Sequence, residues 1–535
     1  MKDPLAVVAD DTNHSATLDQ LVGDRVASRL FAKDATLWGP EAESEAAVRL
    51  NWVELAESSR HLLAEIDALR AELWGEGIDR VVLCGMGGSS LAPEVITRSY
   101  GVDLVVLDST NPSVITRALA GDLQRTVVVV SSKSGGTVET DSQRRAFVRA
   151  FTEAGIDAAS RLVVVTDPGS PFEQLAKDAG YRKVFLADPH VGGRYSALTA
   201  FGLVPAGLAG VDVSELLDEA DEVAAQLRAD DVGNPALVLS CALADHTARD
   251  KVVLTSDGSA IVGFPAWAEQ LIAESTGKNG RGLLPIAVES PDAPEMRSDA
   301  PDLVRGVLLA RADEAEGRAD GGVPTVLTSG PLGAQFLLWE LATAVAGRLL
   351  GINPFDQPDV ESAKDAARGL LDHQPAPEPA AFTDGVVEVR GSSGLLAGVD
   401  TLPGAVQALL STLEDDGYLA VMAYLDPVRD VDLVQARPAL SRRTSRPVTF
   451  GWGPRFLHST GQYHKGGPAR GVFVQVTAEE PQDVEIPERP FSFGTLIAAQ
   501  AAGDADVLAQ RGRPVLRLHL RDPASGVRQL LETLA

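Results

Sequence analysis

The apolar positions of this chain change period along its length. Trp52, Leu55, Leu62, Ile66, Leu69 and Leu73 fall at helical spacing among charged residues, and the spacing predicts a helical segment over residues 1–75. From residue 81 onward the apolar residues bunch into short runs at 81–84, 104–107, 127–130, 162–165 and 184–187. Most intervening segments are long enough for a helix. That alternation predicts an α/β unit over 76–212, a parallel sheet with helices on both faces. A long amphipathic stretch at 213–247 opens a second α/β unit, placed at 213–371. Its strands are expected at 252–255, 303–309 and 325–328, and a helix from 332 to 350 closes it. Asp-His-Gln-Pro-Ala-Pro-Glu-Pro-Ala-Ala at 372–381 reads as a linker, set at 372–385. A third α/β region follows over 386–535, with strands expected at 418–424, 447–451, 471–476 and 514–519. The basic run Arg442-Arg443-Thr444-Ser445-Arg446 reads as a solvated turn.

Composition narrows the class. A chain of 535 residues is too long for one core, and about 150 residues per domain suggests two to four. The net charge of −28 argues against a nucleic-acid partner, and any anionic ligand must be drawn in by a local positive site. Two cysteines, Cys84 and Cys241, cannot build a disulfide framework, which points to a reducing cytoplasm. The first 20 residues lack the apolar core of a signal peptide. No window approaches the roughly 18 uninterrupted apolar residues of a membrane span, so a soluble protein without a membrane partner is expected.

Two strands run into small-residue loops that open helices. Val81-Val82-Leu83-Cys84 leads to Gly85-Met86-Gly87-Gly88-Ser89-Ser90. Val127-Val128-Val129-Val130 leads to Ser131-Ser132-Lys133-Ser134-Gly135-Gly136-Thr137-Val138-Glu139-Thr140. Small residues leave backbone N–H groups bare, hydroxyls add donors, and the following helix adds its positive end. Lys133 adds a full charge. This set suits the terminal phosphate of a small molecule. Ser89, Ser132, Lys133, Ser134, Thr137 and Thr140 are the candidate phosphate ligands, and Glu139 a candidate orienting group. Each serine alone could be merely a helix N-cap. Gly85-x-Gly87 with Asp108 after the next strand also invites a dinucleotide reading, but Ser90 stands where the third glycine of that fingerprint would fall.

The segment from Ser132 to Thr140 resembles the phosphate loop of the phosphoglucose isomerases, within the wider sugar-isomerase (SIS) fold. Gly85-Met86-Gly87-Gly88-Ser89 is similar to that family's first sugar-phosphate loop, which brings Gly87 and Gly88 in beside Ser89. Gly192-Gly193-Arg194-Tyr195-Ser196, Glu274-Ser275-Thr276-Gly277-Lys278 and Asn353-Pro354-Phe355-Asp356-Gln357 with Val360-Glu361 and Lys364 are similar to three further family motifs, in family order. His458-Ser459-Thr460-Gly461-Gln462-Tyr463-His464-Lys465-Gly466-Gly467-Pro468 resembles the fused transaldolase/phosphoglucose isomerase proteins. No room for a transaldolase barrel precedes residue 80, so the chain resembles the isomerase half standing alone.

The resemblance implies tandem SIS-type doubly wound domains, with the N-terminal helical segment before them and the C-terminal α/β region after. It implies a glucose-6-phosphate isomerase working through a cis-enediol in glycolysis and gluconeogenesis, and a homodimer with sites completed across the interface. Glu274 would shuttle the proton, a task suited to a carboxylate. Arg194 would hold the enediolate charge. Lys364 would donate a proton to the ring oxygen or contact substrate, with Gln357 seven residues earlier on the same helical face. Ring opening suits histidine. The family's usual histidine segment between the catalytic glutamate and the Phe-Asp-Gln motif has no counterpart here. His464 is therefore the first candidate, His458 the second and His190 a minor one. The eight histidines show no metal-ligand spacing, and no cofactor or metal is expected. A non-catalytic sugar-phosphate sensor, or an isomerase that also accepts mannose 6-phosphate, are the alternatives.

Overall fold

The computed structural model describes residues 4–9, 14–245, 249–315, 323–373 and 378–534, with the side chains of 360–364 and 372–373 left aside. A short strand, β1 (Ala6–Ala9), opens the described chain. The next five are β2 (Arg80–Cys84), β3 (Val105–Leu107), β4 (Thr126–Ser131), β5 (Leu162–Thr166) and β6 (Lys183–Leu186). They form an all-parallel sheet in the order β3-β2-β4-β5-β6. Chain order reverses between β2 and β4, which opens a crevice beyond their carboxyl ends. β4 is buried at every position, as a strand covered on both faces must be.

The second sheet holds β7 (Lys251–Asp257), β8 (Leu284–Ala287), β9 (Leu303–Leu309) and β10 (Thr325–Ser329), parallel in the order β10-β9-β7-β8. β1 lies antiparallel on the edge of β10, Ala6 opposite Ser329. This corrects the expectation of an all-helical residues 1–75: Ala-Val-Val-Ala is too short for a stable helix and carries β-branched residues that suit a sheet edge. The stretch at 213–247 is not continuous either. Helices Ser214–Arg228 and Pro235–Ala244 are separated where Asn234 caps the second, its Oδ1 accepting from the Ala236 N–H.

The third sheet contains β11 (Phe382–Asp384), β12 (Val387–Gly391), β13 (Tyr418–Tyr424), β14 (Val448–Trp452), β15 (Gly471–Ala478) and β16 (Val515–Leu520), ordered β11-β12-β16-β15-β13-β14. Its last four strands in sequence are mutually parallel, and the β11–β12 hairpin adds antiparallel strands at one edge. The hairpin begins inside the stretch read as linker, turning at Gly385 with φ +58°. Residues 374–377 of that stretch lie outside the described residues. The Arg442–Arg446 run is only partly a solvated turn, because Arg446 pairs with Asp302 of the second unit at 2.5 Å.

Helix Ala200–Ala209 is apolar on every side and buried throughout residues 200–208, and helix Leu332–Leu350 is buried from 332 to 347. Helices of that kind sit between layers. Around them an aromatic row ties the N-terminal segment to two functional loops. Trp52 stacks on Tyr195 (4.9 Å), Tyr195 meets Phe355 (5.7 Å) and Trp38 meets Phe355 edge-on (4.7 Å). The C-terminal region docks on both preceding units. Its helix Phe493–Gln510 packs along helix Val360–His373 so closely that a Cβ on Gly503 would lie 2.8 Å from the Ala367 nitrogen. Asp426 accepts a bidentate pair of bonds from Arg117, each 2.8 Å.

Candidate active site

Cys84 at the end of β2 pairs with Val130 in β4, so the two small-residue loops leave the sheet side by side. In the second loop, Ser132 Oγ accepts from the Gly135 N–H (3.1 Å) and donates to Thr137 Oγ1 (3.2 Å), while Ser134 Oγ accepts from the Gly136 N–H (3.2 Å). Ser134 and Gly136 are exposed. Thr137 precedes helix Val138–Glu153 in extended conformation without capping it through its side chain, so the first N–H groups of that helix are not taken by a cap. In the first loop, Gly87–Ser89 forms a 3₁₀ turn, and no hydrogen bond engages the Ser89 hydroxyl among the described residues.

Lys133 departs from its expected role. Its ammonium binds both oxygens of Asp167 (2.9 and 3.1 Å) and the Val191 carbonyl (2.9 Å). All three protons of a lysine are thereby directed at protein acceptors. Lys133 braces the loop from behind, and the charge it was expected to offer phosphate is already neutralised.

Three parts of the chain meet at the first loop. A Cβ on Gly88 would fall 2.0 Å from the Gly193 carbonyl oxygen, and one on Gly87 would fall 2.7 Å from Gln270 Nε2 and 2.9 Å from the His458 carbonyl oxygen. Gly87 also has φ +57°. Glycine is therefore required at both positions. The contact seats the Gly192-Gly193-Arg194 turn, helix Phe264–Thr276 and the 455–459 turn against one another.

Helix Phe264–Thr276 presents Glu274 in its last turn, buried, with Gln270 one turn earlier at 3.4 Å. Arg194 Nη1 lies 3.5 Å from Glu274 Oε2 and donates to Gln357 Oε1 at 2.7 Å. Its Nη2 donates to the carbonyls of Pro354 (2.9 Å) and Asp356 (2.8 Å). Arg194 and Glu274 are only 4% and 6% exposed, so their charges face each other with little solvent screening. Gln357 is not helical as expected. Pro358 restricts the residue before it to extended conformations, and the helix starts only at Val360. Lys364 lies in that helix, but its side chain falls outside the described residues.

The histidine expectation is also corrected. His464 is 3% exposed, its Nδ1 3.0 Å from Tyr418 Oη, with its ring stacked on Tyr418 and edge-on to Phe473. Burial, then Lys465 and Arg513, pushes its pKa down to about 3. A histidine walled in by aromatic rings cannot trade protons with a ligand at neutral pH. His458 is placed differently. Its carbonyl accepts from Gln270 (2.8 Å), and its Nε2 sits 3.0 Å from Glu139 Oε1. Because a carboxylate only accepts, Nε2 carries the proton and Nδ1 is the basic nitrogen. His190 is exposed beside Asp188.

Sequence reasoning missed Gln270, which bridges His458 and Glu274. It also quoted Lys278 without giving it a task. The Lys278 ammonium donates to the carbonyls of Asn353 (2.8 Å) and Asp356 (2.6 Å) and to Asp356 Oδ1 (2.7 Å). Burial, then the Arg194 charge, pushes its pKa down to about 8. Its place in the Glu-Ser-x-Gly-Lys segment, one turn past Glu274, was the available signal. Thr140 Oγ1, Arg194 Nε and Gln270 Oε1 are among the buried polar atoms that lack a hydrogen-bond partner among the described residues. Unpaired buried groups cost about 1–3 kcal/mol each, so each of these atoms suits a polar ligand.

Asp108, the ribose-binding acid of the dinucleotide reading, is instead paired with Arg455 (3.2 Å), which also binds Glu94. Among the described residues no group of three or more His, Cys, Asp or Glu is placed to hold a metal ion. No helix among them is long and apolar enough to cross a membrane. Both cysteines are buried and free.

The profile of the family described as Phosphoglucose isomerase matches residues 54–281. The chain is 31% identical over 354 residues to a probable glucose-6-phosphate isomerase of Haloquadratum walsbyi, covering 57% of this chain and 82% of that one. A glucose-6-phosphate isomerase of Cyanothece sp. is 30% identical over 347 residues, 54% of this chain and 65% of its own length. Among solved structures, a hypothetical protein from Thermus thermophilus superposes with TM-score 0.58 at 26% identity, over 69% of this chain and 100% of that one. A glucose-6-phosphate isomerase from Chlamydia trachomatis shares the fold with TM-score 0.56 at 18% identity, over 68% of this chain and 87% of its own. The first two sheets with their helices are thus a tandem SIS-type architecture.

Proposed function

The chain belongs to the phosphoglucose isomerase family and is an aldose–ketose isomerase, and from that premise we propose that it interconverts glucose 6-phosphate and fructose 6-phosphate through a cis-enediol. The observation that carries this reading is the buried Arg194–Glu274 pair, carried by a turn and a helix that both pack against the first small-residue loop. Ser89, Ser134 and Thr137, with the first N–H groups of helix Val138–Glu153, would hold the phosphate. Thr140 lies in the first turn of the same helix and supplies a further hydroxyl. Ser132 shapes the loop from inside.

His458, with its Nε2 proton directed at Glu139, leaves Nδ1 to exchange a proton with the ring oxygen or anomeric hydroxyl. Lys364 would share that task. In the open sugar, Glu274 takes the proton from one carbon and returns it to its neighbour. Arg194 stands 3.5 Å from that carboxylate, where it stabilises negative charge developing on the enediolate oxygens. Gln270 holds Glu274 and the 455–459 turn in register.

Every group named belongs to one chain, because the C-terminal region delivers the histidine. A homodimer is expected from the family resemblance. The reaction would belong to glycolysis and gluconeogenesis, in the cytoplasm.

The test is isomerisation of fructose 6-phosphate by purified protein with EDTA present, read through a coupled reaction specific for glucose 6-phosphate. Activity in the wild type with a loss of about 1,000-fold or more in Glu274→Gln is expected, the scale for removing a group that acts in the transition state. Binding of the sugar phosphate without turnover by the wild type would overturn the reading and favour a sensor.

A further inference from the structure

One buried side chain of the C-terminal region is tied to the histidine without reaching the cleft. Gln500 lies on helix Phe493–Gln510, 3% exposed. Its Nε2 donates to Glu139 Oε1 at 2.7 Å, the same oxygen that stands 3.0 Å from His458 Nε2. Its Oε1 accepts from Thr110 Oγ1 at 2.7 Å, and Thr110 is fully buried. The chemistry fixes the amide orientation. A carboxylate cannot donate, so the NH₂ group must face Glu139, and the oxygen then receives the Thr110 hydroxyl.

We propose that Gln500, itself oriented by Thr110, is a positioning residue that fixes Glu139 and thereby sets the orientation and basicity of His458. The proposal rests on the role given to His458 above. A glutamine suits this place because it is neutral. It holds one carboxylate oxygen without supplying a cation that would compete with the imidazolium for the same charge. Among the described residues, the other titratable groups facing this point are Tyr424 at the end of β13 and, beyond it, Asp504 on the Gln500 helix, which pairs with Lys465 at 2.5 Å. None of them bonds to the His458 ring. The line Thr110–Gln500–Glu139–His458 therefore runs from the first unit to the C-terminal region, back to the first unit, and again to the C-terminal region. Seating of that region is coupled to the state of the histidine.

The test compares wild type, Gln500→Leu and Thr110→Val in steady-state kinetics on fructose 6-phosphate from about pH 5.5 to 9. Loss of a charge-assisted bond to Glu139 should lower kcat about 10-fold in Gln500→Leu with KM within about twofold. Without that donor the Glu139 charge is less dispersed and holds the imidazolium more strongly. The acid limb of the profile should therefore move up by about half a pH unit or more. Thr110→Val, nearly isosteric, should move both quantities the same way by less, and it decides the matter if Gln500→Leu does not fold. Folded variants with wild-type kcat and limb would overturn the proposal. So would a fall in kcat with an unmoved limb, which a merely structural loss would give. A wild type that turns nothing over would defeat the functional reading instead, and active wild type with silent variants defeats only this inference.

Discussion

The loops after β2 and β4 share a plan, an apolar strand followed by glycine and serine and then a helix, yet they use glycine for opposite ends. In the first loop, added Cβ atoms at Gly87 and Gly88 would meet Gln270 Nε2 at 2.7 Å and the Gly193 carbonyl oxygen at 2.0 Å. Glycine there allows three parts of the chain to close on one another. In the second loop only Gly135 is crowded, its Cβ 2.3 Å from Phe172 Cβ, whereas Gly136 would meet nothing nearer than Ser134 Oγ at 3.4 Å. Glycine there leaves the space around position 136 open, and the helix that follows begins without a side-chain cap on its first N–H groups. The first loop is a seam and the second a cradle. Composition alone does not distinguish them, because what differs is the distance to elements far away in sequence.

Substitutions sharpen that contrast, beginning with the seam. Gly88→Ala should destabilise the fold by about 1–3 kcal/mol through overpacking and lower kcat/KM by about 100-fold by displacing Arg194. Thermal unfolding and steady-state kinetics report both, and a wild-type profile would break the account of the seam. His458→Asn should lower kcat about 100-fold, the lower end of the scale of lost general acid–base catalysis. In the cradle, Ser134→Ala should raise KM about threefold to tenfold with kcat nearly unchanged, as for loss of uniform binding.

The smallest effects are expected at Gly136 and His464. Gly136→Ala should leave folding within about 0.5 kcal/mol of wild type. His464→Asn should retain activity within about threefold but change the acid behaviour of the fold. In the native state the His464 pKa is pushed down to about 3, against about 6.5 in an unfolded chain. Between those values the unfolded chain binds more protons, so this group lowers stability as pH falls from about 6.5 toward 3. Denaturant midpoints across that range should drop less steeply in His464→Asn. An inactive His464→Asn beside an active His458→Asn would reverse the assignment.

Much of this was legible in the chain. Strands at 127–130 and 162–165 are valine-rich runs covered on both faces, and both are found, as β4 and β5. Arg194, Glu274 and Gln357 came from separate motifs, and the fold brings them together. Other features depended on neighbours that local pattern does not reveal. β1 is four residues long and exists because β10 has an edge to cover. Lys133 looked like a phosphate ligand until Asp167 and Val191 were brought to it from 34 and 58 residues away. His458 and His464 are indistinguishable as letters six places apart. One faces Glu139, and the other is enclosed by Tyr418 and Phe473.

The central claim is that Glu274 moves a proton rather than that a hydride migrates. The most direct measurement is to convert fructose 6-phosphate in deuterium oxide and examine C2 of the glucose 6-phosphate formed. The account predicts deuterium at C2 with the wild-type protein, because a proton held on a carboxylate exchanges with solvent, and no appreciable product or exchange with Glu274→Gln. Product formed at full rate with no deuterium at C2, or exchange undiminished in Glu274→Gln, would contradict it.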